Sequence, residues 1–313
     1  MLRKHGLAID HLLAVELVTA DGRLMRASAD EQPDLFWALR GGGGNFGIAT
    51  AFEFQLHPAG TILGGAVFYS AAQAERVIRS AVDYGVQAPD ELTIQILLLP
   101  APPQPFIPAE RVGELAIAVA VSYAGDLAEG RRVVAPLRSL GTPMADVISP
   151  MPYPGLFALT EMATVKGVYQ DVRSAYVRTL DDAAIATIVE HTRRGTQAYP
   201  RVLIRVLGGA MARVPQMATA FAHRDKLFMI NIMNWAPDAD GFERQRPWLE
   251  AFWRAIQPRA DVGYVGFMMD EGAERVRAAY GANYPRLVEI KNRYDPDNVF
   301  QVNQNIVPTG QRT

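Results

Sequence analysis

The sequence contains no cysteine. Disulfides, thiolate zinc sites, iron–sulfur clusters, a cysteine nucleophile and a cysteinyl bond to a cofactor are therefore excluded. Their absence fits a reducing compartment, and a cytoplasmic location is the expectation. Histidine is scarce, with five in 313 residues: His5, His11, His57, His191 and His223. No two stand four apart, and no H-E-x-x-H occurs, so the helical metal-site pattern is missing. Long apolar runs are missing too. The stretch Ile94–Leu99 stops at Pro100, far short of a bilayer span. Met1-Leu2-Arg3-Lys4 leads into polar sequence rather than the apolar core of a signal peptide. An excess of charge is likewise absent: 31 Lys+Arg stand against 33 Asp+Glu, a net charge of −2. Nothing electrostatic then points to nucleic acid or an anionic membrane as a partner. No period of 20–50 residues and no low-complexity segment is found.

What remains is an ordinary globular chain, 49% apolar and long enough for about two domains. Leu12–Thr19 reads as a strand, residues 20–23 as a turn and Leu24–Ala27 as the returning strand. A core strand so near Met1 is either an edge strand or the sign of something lost upstream. Glu31–Leu39 reads as a short helix. Arg40-Gly41-Gly42-Gly43-Gly44-Asn45-Phe46-Gly47 follows, in which Gly42, Gly44 and Gly47 spell G-x-G-x-x-G. A dinucleotide fingerprint must follow a strand and open a helix. Here a helix precedes, and the alternating segment Ile48–Leu56 follows as a strand, so the Rossmann reading fails. The run is either a tight turn packed on a neighbouring strand or backbone in contact with a bulky cofactor.

Farther along, strands are expected at Gly65–Tyr69, Leu92–Leu99, Leu115–Tyr123, Val202–Leu207 and Lys226–Trp235. Helices are expected at Ala71–Val86, Leu127–Leu140, Asp181–Arg194 and Phe242–Ile256. Five prolines in Pro100–Pro108 make that stretch a loop. Trp248, Phe252 and Ile256 form a core stripe. The irregular order of strands and helices points to an α+β fold with an antiparallel sheet and helices on one face.

Asp34–Ile48, D-L-F-W-A-L-R-G-G-G-G-N-F-G-I, followed by F-E-F-Q-L-H-P to Pro58, resembles the berberine bridge enzyme-like family, FAD-linked oxidases of the vanillyl-alcohol-oxidase superfamily. Arg3–Asp10 resembles its R-K-x-G-L-x-x-D segment. Tyr280–Leu287 resembles its Y-G-x-N-Y-x-R-L, and Lys291–Ile306 its closing K-x-x-Y-D-P-x-N-x-F-x-x-N-Q-N-I. The resemblance implies a partial FAD-binding domain of the vanillyl-alcohol-oxidase type, residues 1–58 and 276–313. Residues 59–275 would be a substrate domain whose antiparallel sheet is flanked by helices.

The implied activity is FAD-dependent oxidation, with hydride transfer from a small organic substrate to flavin and O₂ as acceptor. Gly6, Leu7, Gly47 and Ile48 would line the adenine-ribose side, and Tyr264, Asn303 and Gln304 the flavin ring. His223, within A-T-A-F-A-H-R, would face flavin or substrate, or be a satisfied structural residue. Two departures stand out. The family carries a further half of the flavin domain ahead of this sequence, with its glycine-rich diphosphate loop and the histidine linked to flavin. FAD is accordingly expected to be non-covalent if bound at all. The expected partners are a small-molecule substrate and either a complementary N-terminal half or a second copy in a homo-oligomer. Also, where family members that use a tyrosine base read Y-x-N-Y, this sequence has Tyr264, Gly266 and Phe267, and phenylalanine accepts no proton. The catalytic residue is therefore unknown. An inactive or split-enzyme fragment and a non-catalytic small-molecule binding protein remain open as alternatives.

Overall fold

The computed structural model describes residues 1–158, 166–197, 199–261, 263–268, 271–301 and 304–310. The chain forms two compact units. The larger comprises Met1–His5, Pro58–Ala210 and Lys226–Asp261, and the smaller comprises Gly6–His57, Met211–Asp225 and Val262–Thr313. The division runs differently from the expected boundaries. The residues from Met211 to Asp225 and those from Val262 to 275, expected within the 59–275 domain, join the glycine-run unit, and Met1–His5, expected with that unit, join the larger one.

The smaller unit holds β1 (Leu12–Val18), β2 (Leu24–Ser28) and β3 (Ile48–Phe54) in the antiparallel order β2-β1-β3. The first strand is thus central rather than an edge, paired with β2 through Val15 and Ala27 and with β3 through Val15 and Phe52. Its burial alternates irregularly, with Leu12, Ala14, Val15 and Leu17 inside. Leu12, Val15 and Leu17 share a core with Leu35, Phe36 and Trp37 of the helix Pro33–Leu39, and with Leu287 and Ile290 of the helix Tyr284–Tyr294.

The larger unit is built on an eight-stranded sheet: β4 (Thr61–Ser70), β5 (Leu92–Pro100), β6 (Leu115–Tyr123), β7 (Pro143–Asp146), β8 (Ser149–Pro152), β9 (Tyr169–Val177), β10 (Val202–Val206) and β11 (Phe228–Ala236). The order is β7-β4-β6-β5-β10-β11-β9, with β8 also on β4, and every pairing is antiparallel. Period-two alternation sends Leu92, Ile94, Ile96 and Leu98 of β5 to one face. Three helices supply the other side of that core: Val77, Ile78 and Ala81 from Ala74–Gln87, Ile185 and Ile188 from Asp182–Arg194, and Leu249, Phe252 and Ile256 from Ala239–Ile256. Burying each large aliphatic or aromatic side chain contributes ~1.5–3 kcal/mol, which makes this contact the main source of the unit's stability. The last two helices start at capping carboxylates. Asp181 accepts from the Ala184 N–H at 2.7 Å and Asp238 from the Gly241 N–H at 2.6 Å.

Strands β7, β8 and β9 are absent from the sequence reading. The first two are four-residue pieces carrying Pro143, Pro150 and Pro152, a composition that reads as loop and is tolerated where β4 leaves an edge. The proline-rich stretch is a loop over most of its length, and it folds back so that Ile107 packs with Phe68 and Leu99.

Candidate functional site

The candidate site lies in the smaller unit and grows from the glycine run. The helix Pro33–Leu39 ends there, with the Gly42 N–H donating to the Ala38 carbonyl at 2.8 Å. Gly41 has φ of +129°, and a Cβ on it would fall 2.6 Å from the Phe221 backbone nitrogen. Gly47 lies against β1, where a Cβ would fall 2.6 Å from the Val18 carbonyl oxygen. Close backbone approach therefore demands glycine at both positions, and the run opens the strand β3 rather than a helix.

Asn45 ties this run to the C-terminal segment. Its amide donates to the Gly42 carbonyl at 2.8 Å and the Gln304 carbonyl at 3.1 Å, and its Oδ1 accepts from the Ile306 N–H at 2.9 Å. Its backbone carbonyl accepts from Lys291 Nζ at 2.9 Å. Lys291 is fully buried and also donates to Asp295 at 2.6 Å and to the Phe300 carbonyl at 2.7 Å. Burial alone would raise the Asp295 carboxyl. Hydrogen bonds from Lys291 and from the Phe300 and Val299 N–H groups hold it below the ordinary carboxylate range. Tyr280 donates to the Gly42 carbonyl at 3.1 Å, and burial drives its hydroxyl pKa far up, so it stays protonated and is no base.

A second buried pair lies in the same unit. Arg224 grips Asp10 with two nitrogens, at 2.6 and 3.1 Å, and donates to Thr219 Oγ1 at 2.8 Å. Asp10 in turn accepts from the Leu7 N–H at 2.8 Å, just after Gly6 turns the chain at φ of +94°. The half-buried Arg40 guanidinium lies 4.4 Å from the Phe36 ring centroid, and its Nε has no hydrogen-bond partner among the described residues. Burial lowers its pKa, with Asp10 pulling it up and Arg224 pushing it down.

The expected site residues fall as follows. Gly47 and Ile48 join the glycine run to β3, and the Gln304 backbone is bound to that run through Asn45. Gln304 Nε2 donates to the Met268 carbonyl at 2.7 Å, which links the C-terminal segment to the stretch holding Tyr264. The Tyr264 ring is 37% exposed and meets Phe267 at 5.4 Å and Phe221 at 6.4 Å, both edge to face. It lies across Gly266, where a Cβ would fall 2.7 Å from the ring. Phe267 thus braces Tyr264. Gly6 and Leu7 sit on the Asp10–Arg224 side, and Arg224 lies 5.6 Å from the Phe221 ring centroid. His223 is buried, with Nε2 2.7 Å from the Ala279 carbonyl and its ring edge to face with Phe221. Asn303, Met269 and Asp270 lie outside the described residues.

The sequence reading gave no role to Asn45, Lys291, Asp295, Asp10 or Arg224. The signal for one pair was present, because Lys291 and Asp295 stand four apart on a helix end. The Asp10–Arg224 contact spans 214 residues and has no local signal.

One further property marks this unit. Every residue of β3 is exposed, including Ile48 at 61% and Phe52 at 60%, and Leu56 beyond it at 79%. A large apolar face left in water marks a binding face. The chemistry of the site suits a flavin in three respects. It has an open glycine backbone, with no atom of the described residues within 4 Å of a Cβ on Gly44; an apolar strand beside it; and an accessible phenol.

Fold and site together define an α+β protein of the flavin-oxidase type, and the comparisons with known proteins agree. Residues 263–307 match the family model "Berberine and berberine like". The chain is 30% identical to (R)-6-hydroxynicotine oxidase of Paenarthrobacter nicotinovorans, over 98% of this chain and 68% of that relative. It is 28% identical to the FAD-linked oxidoreductase YgaK of Bacillus subtilis, over 98% and 67%. Among solved structures, BBE-like 1 of Physcomitrella patens superposes with a TM-score of 0.84 at 22% identity, covering 99% of this chain and 68% of that one. The 6-hydroxy-D-nicotine oxidase of Arthrobacter nicotinovorans gives 0.81 at 26% identity, covering 97% and 68%. The chain belongs to the berberine bridge enzyme-like family of FAD-linked oxidoreductases. It spans about two thirds of the length of the curated relatives it matches, at 67%, 65% and 68%. No helix among the described residues is long and apolar enough to cross a membrane.

Proposed function

We propose that this chain carries the substrate-binding unit and part of the flavin-binding unit of an FAD-dependent oxidase that removes a hydride from a small organic substrate. The observation that carries the reading is the exposed apolar strand β3 opening directly from the glycine run, in the unit that also holds Tyr264. FAD, when bound, supplies the two-electron acceptor that O₂ regenerates. Gly47 and Ile48 present backbone and an apolar side chain to it, and Gln304 holds the C-terminal segment to the glycine run. Tyr264, fixed between Phe221 and Phe267, offers a hydroxyl that donates a hydrogen bond to substrate or flavin. Phe267 moves no proton, so the substrate proton leaves to another group or to water. The contacts that these residues make to FAD are non-covalent.

Titrating the purified chain with FAD, followed by flavin fluorescence quenching, tests this. Saturable quenching that Ile48→Asp weakens, with flavin released into the supernatant on acid precipitation, is the expected result. No quenching at high protein concentration, or a yellow acid pellet, overturns it.

The same strand favours a second reading, in which the oxidase is an assembly and another polypeptide covers β3. Co-expression with a family-type segment carrying a glycine-rich G-H-S loop tests it. Co-purification with FAD supports the assembly, and a chain that binds FAD tightly alone, with no complex formed, rejects it.

A further inference from the structure

The smaller unit holds a cationic centre whose charge its own side chains do not balance. Arg40 follows the helix Pro33–Leu39, and its backbone is clamped. The Arg40 carbonyl accepts from the Ala220 N–H at 3.1 Å, and Gly41 packs against the Phe221 backbone. The guanidinium lies 4.4 Å from the centroid of the buried Phe36 ring, one helical turn back. Backbone and ring therefore aim the group, and no acceptor does. Among the described residues Arg40 has no hydrogen-bond or ion-pair partner. Its Nε is shut away from water, and its terminal nitrogens are not. Burial lowers the pKa of Arg40, while Asp10 pulls it up and Arg224 pushes it down, so both neighbours act on its charge. Asp10 has both oxygens committed elsewhere. Its Oδ1 accepts from Arg224 at 2.6 Å, and its Oδ2 accepts from Arg224 at 3.1 Å and from the Leu7 N–H at 2.8 Å. Arg224, only 1% exposed, still has a buried Nε without an acceptor. Two guanidiniums thus stand against one carboxylate, in a setting where water screens the excess less than at an open surface.

We infer that Arg40 anchors an oxyanion site, which takes a phosphoryl or carboxylate group on the two terminal nitrogens of its guanidinium. The planar fork matches two oxygens of such a group with two parallel, charge-assisted hydrogen bonds. The ligand's charge completes what Asp10 leaves open. Arg40 has no partner to give up, and its terminal nitrogens already face water. Two ligands carry this chemistry. One is the diphosphate of FAD, which rests on the flavin reading above, and the other is the acid group of a substrate. Because the site is assembled from Arg40, Phe36 and the Ala220 backbone only in the folded chain, its ligand raises the melting temperature.

The experiment titrates the full chain at low ionic strength with pyrophosphate, ADP and benzoate by calorimetry, and compares FAD with phosphate-free riboflavin by flavin fluorescence. Saturable binding of pyrophosphate and ADP, weakened by added salt, assigns the site to phosphoryl oxygens. Binding of benzoate alone assigns it to an acidic substrate. In either case Arg40→Gln should weaken the anion by at least about tenfold, through loss of charge-assisted hydrogen bonds. Arg40→Lys keeps the charge without the fork and should fall between parent and Arg40→Gln. Arg23→Gln removes the same charge from an exposed ion pair in the β1–β2 turn and should bind as the parent does. Riboflavin should not distinguish Arg40→Gln from the parent. If pyrophosphate binds through Arg40 and neither flavin binds, the flavin reading fails and the oxyanion site stands. If FAD binds and no anion distinguishes Arg40→Gln from the parent, the oxyanion site fails and the flavin reading stands. Should Arg40→Gln unfold, Arg40→Lys and the melting temperature of the parent carry the test, and no rise with any of the three anions overturns the proposal.

Discussion

Replacing Lys291 by Met removes the ammonium that joins the glycine run to the C-terminal segment. The structure sets the magnitude. Lys291 and Asp295 are both fully buried at 2.6 Å, and Nζ also donates to the Asn45 and Phe300 carbonyls at 2.9 and 2.7 Å. Methionine fills the space of the stem but leaves the carboxylate with only the Val299 and Phe300 N–H groups, at 2.7 and 2.9 Å. Breaking a buried pair from one side costs roughly 3–5 kcal/mol. That is a large part of a typical ~5–15 kcal/mol stability. With a urea slope of ~1–3 kcal/mol per molar, the midpoint should fall by at least about 1 M. Trp37 is the one tryptophan of the smaller unit, while Trp235, Trp248 and Trp253 belong to the larger. Fluorine NMR of 5-fluorotryptophan-labelled protein therefore reads each unit separately, and the Trp37 resonance should lose its native shift first. Acid supplies a second axis. In the parent the Asp295 carboxyl is depressed, so its contribution is complete above the unfolded pKa of ~3.9 and is lost as pH falls through the folded value. Without Lys291, burial raises the same carboxyl, which is then stabilised by protonation. The gap between variant and parent should narrow as the solution is acidified toward about pH 4. A variant within about 0.5 kcal/mol of the parent at pH 7, or a gap that widens on acidification, refutes the reasoning.

Two further substitutions probe the same unit. Gly41→Ala places a methyl 2.6 Å from the Phe221 backbone nitrogen at φ of +129°. It should cost more than about 2 kcal/mol in urea unfolding, and parental stability would contradict the close approach. Phe52→Lys on the exposed β3 should reduce self-association in light scattering while changing stability by less than about 0.5 kcal/mol, and a large loss of stability would mean that Phe52 is packed.

The sequence by itself determined the elements whose signals are local. Alternation in Leu92–Leu99 gave β5, and the Asp181 cap with the apolar spacing after it gave the helix Asp182–Arg194. The order helix, glycine run, strand excluded a Rossmann turn before any coordinates. The family was legible because its motifs are long and lie at both ends of the chain, where Arg3–Asp10 and Lys291–Ile306 can be compared residue by residue. The short proline-bearing strands β7 and β8 were not legible, because their pairing is supplied by β4 rather than by their own composition. Only the tertiary structure decided what the motif residues do. Asp10 and Arg224 are 214 positions apart, and Lys291 and the Asn45 carbonyl 246. Charges and carbonyls so far apart in sequence leave no periodic trace, and they become partners only when folding removes both from water. The same holds for Tyr264: its sequence neighbours place a phenylalanine at 267, but only the packing shows Phe267 and Phe221 bracing its ring. Exposure is decided at that level too. The alternating segment Ile48–Leu56 reads as half-buried, yet among the described strands β3 has a partner on one edge only and no described element of its unit covers its apolar side chains, so the face that the pattern assigns to a core is left exposed.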